Sequence, residues 1–137
     1  MKKKNRKIII NDKVYLYNVQ SRYCGNDLGI VTLKIFLDGY TQTPYIFHFK
    51  NIVDFIGGTP LYTGVFLLNK QTALQEFVSL HRPYFARLFI LYALSEGWNA
   101  TKKYENQKAM DVLTHFNLDV SKIEYKSIDE SGNDSNL

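Results

Sequence analysis

Apolar and polar positions alternate over the first third of the chain and then change period. Ile8-Ile9-Ile10 and Val14 to Val19 flank Asn11-Asp12-Lys13, which predicts two strands joined by a hairpin loop. Val14, Leu16 and Asn18 alternate with Tyr15, Tyr17 and Val19, so both faces of the second strand carry bulk. The glycine-punctuated stretch Tyr23 to Gly29 predicts a loop, Ile30 to Leu37 a third strand, and Asp38-Gly39 a turn. After Pro44, Tyr45 to Phe49 predicts a fourth strand with Tyr45, Phe47 and Phe49 on one face and Ile46 and His48 on the other. Short loops between four strands predict an antiparallel meander.

Lys50 to Pro60 reads as a connector, in which Ile52, Val53, Phe55 and Ile56 fit one helical turn before Gly57-Gly58-Thr59-Pro60. Leu61 to Leu68 reads as a fifth strand or an extended segment. From Asn69, a capping residue, Ala73, Leu74, Phe77, Val78 and His81 follow at helical spacing. Pro83 suits the first turn of another helix, whose core face is Phe85, Leu88, Phe89 and Tyr92 and whose stop is Gly97. Between Tyr84 and Leu94 only Arg87 is charged, so this helix is expected to be buried on most sides, under the sheet or in a subunit interface. Beyond a polar loop (Asn99 to Asn106), Ala109, Met110, Leu113 and Phe116 form an amphipathic stripe, and Ile123 and Tyr125 suggest a short edge strand. The expected fold is α+β: an antiparallel sheet of four to five strands followed by two to three helices packed on one face. One domain is expected over residues 8–126, between a basic flexible head (1–7) and a polar disordered tail (127–137).

Composition adds a constraint on the core. Of 137 residues, 45% are hydrophobic and 15% aromatic, enough to build a core without metal or disulfide. A single cysteine, Cys24, excludes an internal disulfide and fits a reducing, cytoplasmic setting. The Ile8–Ile10 run is too short for a signal peptide, and the longest apolar run, Leu88 to Leu94, is too short for a membrane span. The net charge of +4 misleads: Lys2, Lys3, Lys4, Arg6 and Lys7 sit in the head with no acid, which leaves the rest of the chain near neutral.

From Arg82 to Val120 the chain runs through a helix ending in Gly97-Trp98-Asn99, a Lys-rich loop and a short helix closing in Phe-Asn-Leu-Asp-Val. With the preceding meander, this resembles a group of small bacterial proteins of unknown function that place a β-meander before a helix ending in Gly-Trp-Asn or Gly-Trp-Asp. Proline usually follows there; Ala100 stands in its place here. The resemblance implies that order of elements and a bacterial cytoplasmic setting, and no activity or catalytic residue.

No constellation for chemistry stands out. His48, His81 and His115 are scattered with no ligand spacing, so neither a metal nor another cofactor is expected; His81 and His115 read as residues near helix C-termini, where the dipole favours them. Cys24, in a loop after Arg22 and Tyr23, is a candidate nucleophile without a neighbouring base. Gly57-Gly58 lacks the residues of a phosphate-binding loop. Arg82 and Arg87 are candidates for an anion site at a helix start, and Trp98 for either a partner-binding anchor or a clasp on its own helix. The expected function is therefore a non-enzymatic protein-interaction module, of immunity or accessory type, with a protein partner or a second copy. Two alternatives are nucleic-acid association through the basic head, and a small-molecule or enzymatic site near the Tyr23 to Leu28 loop.

Overall fold

The computed structural model describes residues 5–53 and 58–125. The expected tail (127–137), the start of the head and the centre of the connector, including Phe55 and Ile56, lie outside the described residues. In chain order the elements are β1 (Arg6–Ile10), β2 (Lys13–Gly25), β3 (Leu28–Leu37), β4 (Tyr45–Ile52), α1 (Pro60–Thr63), β5 (Val65–Asn69), β6 (Leu74–Val78), α2 (Pro83–Ser95), β7 (Tyr104–Asn106) and α3 (Met110–His115).

The first four strands form the expected antiparallel meander, in the order β1-β2-β3-β4. Its first two turns are two-residue turns of the same kind. Asn11 and Asp12 (φ 51° and 65°) and Asn26 and Asp27 (φ 54° and 62°) are left-handed, the conformation whose twist matches the flanking strands and which Asn and Asp tolerate best. The expected Tyr23–Gly29 loop is therefore replaced by a continuing hairpin: β2 extends to Gly25, and a bulge at Cys24 separates the Tyr23–Gly29 and Gly25–Leu28 pairs. β1 likewise begins at Arg6, so Arg6 and Lys7 belong to the sheet and not to a flexible head; Arg6 is held there by donating from Nη1 to the His81 carbonyl at 2.9 Å.

The fifth strand of the sheet is β7, which pairs in parallel with β4, not the Leu61 to Leu68 segment. That segment instead makes the short α1 and then β5, and β5 pairs with β6 in a separate two-stranded hairpin. The helix expected from Asn69 is absent. Asn69 Oδ1 accepts from the N–H groups of Gln71 and Thr72, which turns the chain, and Ala73 at φ 62° completes the reversal. Leu74, Phe77 and Val78 match helical spacing, but a cross-strand register that pairs Val65 with Val78 and Phe66 with Phe77 buries Leu67 and Val78 completely. His81 consequently precedes a helix instead of ending one.

The core uses the aromatic wealth. Tyr17, Val31, Leu33, Ile35, Phe47 and Phe49 project from one face of the meander, and Phe89 of α2 meets Phe47 at 4.8 Å and Phe49 at 5.4 Å between ring centroids. α2 starts at Pro83 as expected and buries Phe85, Ala86, Phe89, Ile90 and Ala93. It ends with the N–H of Gly97 (φ 97°) bonded to the Leu94 carbonyl and that of Trp98 to the Ala93 carbonyl, the paired bonds that a left-handed glycine permits. Ile123 and Tyr125 do add backbone pairing at β4: Ile52 N–H donates to the Ile123 carbonyl and Tyr125 N–H to the Lys50 carbonyl.

Candidate functional site

The expected site residues do not converge. Trp98 is 1% exposed: its ring lies between Tyr15 and Tyr45, and Nε1 donates to the Thr43 carbonyl at 3.0 Å. It is a clasp between the end of α2 and the meander and presents no surface to a partner. Ala100, at φ 67°, occupies a conformation closed to proline. Arg82 sits at the N-cap of α2, with Nη1 donating to the Phe77 carbonyl at 3.2 Å and its guanidinium 5.8 Å from the centre of the Phe77 ring. Arg87 is exposed five residues further on, about 140° around the helix, so the two do not frame one anion pocket.

Tyr23 and Cys24 lie at the far tip of the β2–β3 hairpin. The Tyr23 hydroxyl accepts from the Asp27 N–H at 3.3 Å, and Cys24 is an exposed free thiol 3.9 Å from the Arg22 carbonyl. Among the described residues, no group of three or more His, Cys, Asp or Glu gathers at one point. No described helix is long and apolar enough to cross a membrane.

Two surfaces emerge that residue-by-residue reading missed. The first is the outward face of the β5–β6 hairpin. Phe66 and Phe77 pair across the strands with ring centroids 5.1 Å apart, yet remain 55% and 38% exposed, with Leu68 beside them. The hairpin is held firmly beneath: Leu67 and Val78 are buried, and the N–H of Asp119 and the carbonyl of Asn117 bond to the backbone of Leu68 and Lys70. Gly64 fits under the Phe77 ring, where a β-carbon would collide with it. The apolar run Val65-Phe66-Leu67-Leu68, a polar turn, then the short stretch Leu74 to Val78 was the available signal, masked by apolar spacing that also suits a helix.

The second surface is the sheet face opposite the core. The registers place Lys7 beside Leu16, Lys34 between Asn18 and Ile46, and Arg22 and Lys50 on either side of Ile30. On this face His48 Nε2 and Glu105 Oε2 lie 3.3 Å apart, within hydrogen-bond distance.

His81 lies between the β1–β2 pair and α1. Its carbonyl accepts from Arg6 and, at 3.4 Å, from the Tyr17 hydroxyl, while its ring meets Tyr62 at 4.7 Å. Burial, reinforced by the Arg6 guanidinium, holds its pKa below the ordinary value. The unfolded chain then binds the extra proton more readily. His81's contribution to stability is complete above about pH 6.5, is lost as pH falls below it, and levels off beneath the folded pKa. Urea melts at about pH 7.5 and pH 5 should show this loss, and His81→Asn should flatten the difference; an equal pH slope in the variant would assign it to other groups.

No family model matches the chain, and no curated protein or solved structure is significantly similar to it.

Proposed function

We propose that this protein is a non-enzymatic interaction module that docks a partner protein on the outward face of the β5–β6 hairpin. The exposed Phe66–Phe77 pair carries this reading. Contiguous aromatics on a rigid support, with an arginine lying over one ring, are the composition and preorganisation of a binding hot spot. The partner that fits is a protein with an apolar ridge bordered by carboxylates, which would meet Arg82 at the rim. Because Leu67 and Val78 face the core while Phe66 and Phe77 lie on the other face of the hairpin, docking would leave the core undisturbed. An immunity or accessory protein that blocks its partner in a bacterial cytoplasm would use such a face.

The test is capture from nuclease-treated lysate with the tagged protein and with a Phe66→Thr/Phe77→Thr double variant, in which threonine keeps the strand preference. The expected result is one protein near stoichiometry whose retention falls at least about 30-fold in the variant, the effect of losing one hot spot. Equal capture by a folded double variant would remove the hairpin from the interaction.

A second reading is association with nucleic acid. Lys7, Arg22, Lys34 and Lys50 on one sheet face support it. Because Arg6 and Lys7 are part of β1, deleting residues 1–7 would also damage the sheet, and Lys34→Gln/Lys50→Gln is the cleaner variant. This reading expects oligonucleotide binding that weakens steeply with salt and weakens again in the variant. No binding at about 50 mM salt would eliminate it.

A further inference from the structure

We infer that the open edge of β1 pairs with β1 of a second copy of this chain, antiparallel about a two-fold axis at Ile8. The two outer sides of the meander differ. Along the outer side of β4, Tyr45–Phe47 pair with β7, the His48 carbonyl accepts from Ala109 N–H, and the Lys50 and Ile52 backbones bond to Tyr125 and Ile123. That side of β4 is met along its whole length. Among the described residues, no backbone pairs with the outer side of β1.

Hydrogen-bond accounting identifies the free groups. The two-residue turn makes Ile10 and Lys13 a hydrogen-bonded pair, and such pairs alternate along the antiparallel ladder. Arg6, Ile8 and Ile10 therefore spend their N–H and C=O groups on β2. Lys7 and Ile9 aim theirs away from it, and no described backbone group meets them. The Ile9 side chain is itself 61% exposed. Charged residues commonly guard such edges, but within β1 the Arg6 guanidinium is committed to the His81 carbonyl, which leaves Lys7 as the other charge on the strand.

One register suits a second copy. With Ile8 facing Ile8, Lys7 of each copy lies opposite Ile9 of the other, and each of these pairs exchanges an N–H···O=C bond in both directions. A shift one way sets Lys7 against Lys7, and a shift the other way sets Lys7 against Asn11, which is in a left-handed turn. The central pair also joins the two cores, because Ile8 packs against the buried cluster. A two-fold pairing of this kind consumes both β1 edges, so association closes at the dimer. The strand is five residues long, so the contact is smaller than a standard interface and the dimer is dilution-sensitive. This surface is separate from the hairpin face, and the two readings stand independently.

The test is sedimentation equilibrium from about 1 μM to 1 mM. The mass is expected to rise from 15.9 kDa towards twice that value with concentration. Ile9→Pro removes an N–H that β2 does not use and should stay monomeric throughout with an unchanged far-UV spectrum; Ile9→Thr, which keeps the N–H, should still dimerise. Hydrogen exchange on the unaltered chain reads the same contact without a variant. The amides of Lys7 and Ile9 should gain protection as concentration rises, while those of Ile8 and Ile10 are protected throughout. A monomer at every concentration would overturn the proposal and leave the edge to a strand from a different protein. Self-association lost in Phe66→Thr/Phe77→Thr but kept in Ile9→Pro would overturn it in favour of the hairpin.

Discussion

Trp98→Ala should destabilise the fold by about 3–5 kcal/mol, the range for truncating a large buried aromatic. The indole is almost fully enclosed, and three separate parts of the chain close around it. Tyr15 comes from β2, Tyr45 from β4, and the Thr43 carbonyl that Nε1 reaches comes from the loop between β3 and β4. Alanine would leave a cavity and an unpaired carbonyl at the same point. Trp98→Phe separates the two losses: it fills most of the volume without the N–H donor and should cost distinctly less. Urea denaturation of the three proteins measures this directly. A loss below about 1 kcal/mol for Trp98→Ala would mean that the site collapses freely and that Trp98 is no clasp.

Asn51→Ala should cost about 2–3 kcal/mol, through a buried donor left unsatisfied together with a small cavity. Asn51 is fully buried on β4. Its Oδ1 accepts from the Leu61 N–H at 3.2 Å, and its Nδ2 donates to the Phe49 carbonyl at 3.1 Å. Because the short α1 has no side-chain cap of its own, this amide holds the start of the segment that leads into β5. Loss of the amide should therefore loosen α1 and the root of the hairpin more than the meander. Hydrogen exchange at Leu61 and Leu80, whose N–H bonds to the Leu61 carbonyl, checks this against a meander amide such as Leu33. Uniform acceleration across all three would show that Asn51 acts on global stability alone.

Much of the meander was legible because its residues signal locally. Apolar runs broken by Asn11-Asp12-Lys13 and Asp38-Gly39 mark the strands and two of the turns, whereas Tyr23 to Gly29 reads as a loop until β2 and β3 are paired. Pro83 and Gly97 bounded α2 for the same reason: each acts through its own backbone conformation. What stayed hidden depends on residues far apart in the chain. Phe77 and Val78 fit a helix until Phe66 and Val65 are set opposite them. Tyr104 to Asn106 reads as polar loop until β4 supplies a partner edge. The candidate surface was hidden for the same reason: Phe66 looks like a core residue in sequence, and only the pairing of β5 with β6 turns it outward. Trp98 reads in sequence as either a partner anchor or a clasp, and contacts with Tyr15, Tyr45 and Thr43, all distant in the chain, make it the clasp.

The parallel pairing of β4 with β7 has a consequence for the order of events at the ribosome. Hairpins of the meander close over short loops and form within microseconds to milliseconds. Tyr45 meets Tyr104 only after the whole intervening stretch has been made. At synthesis rates of about 5–20 residues per second, the newborn meander waits roughly 3–12 s with the outer side of β4 bare. During that interval the nascent chain has two adhesive strands, and the α3 region and residues 123–125 complete the shielding of one of them only when translation has nearly passed the described domain.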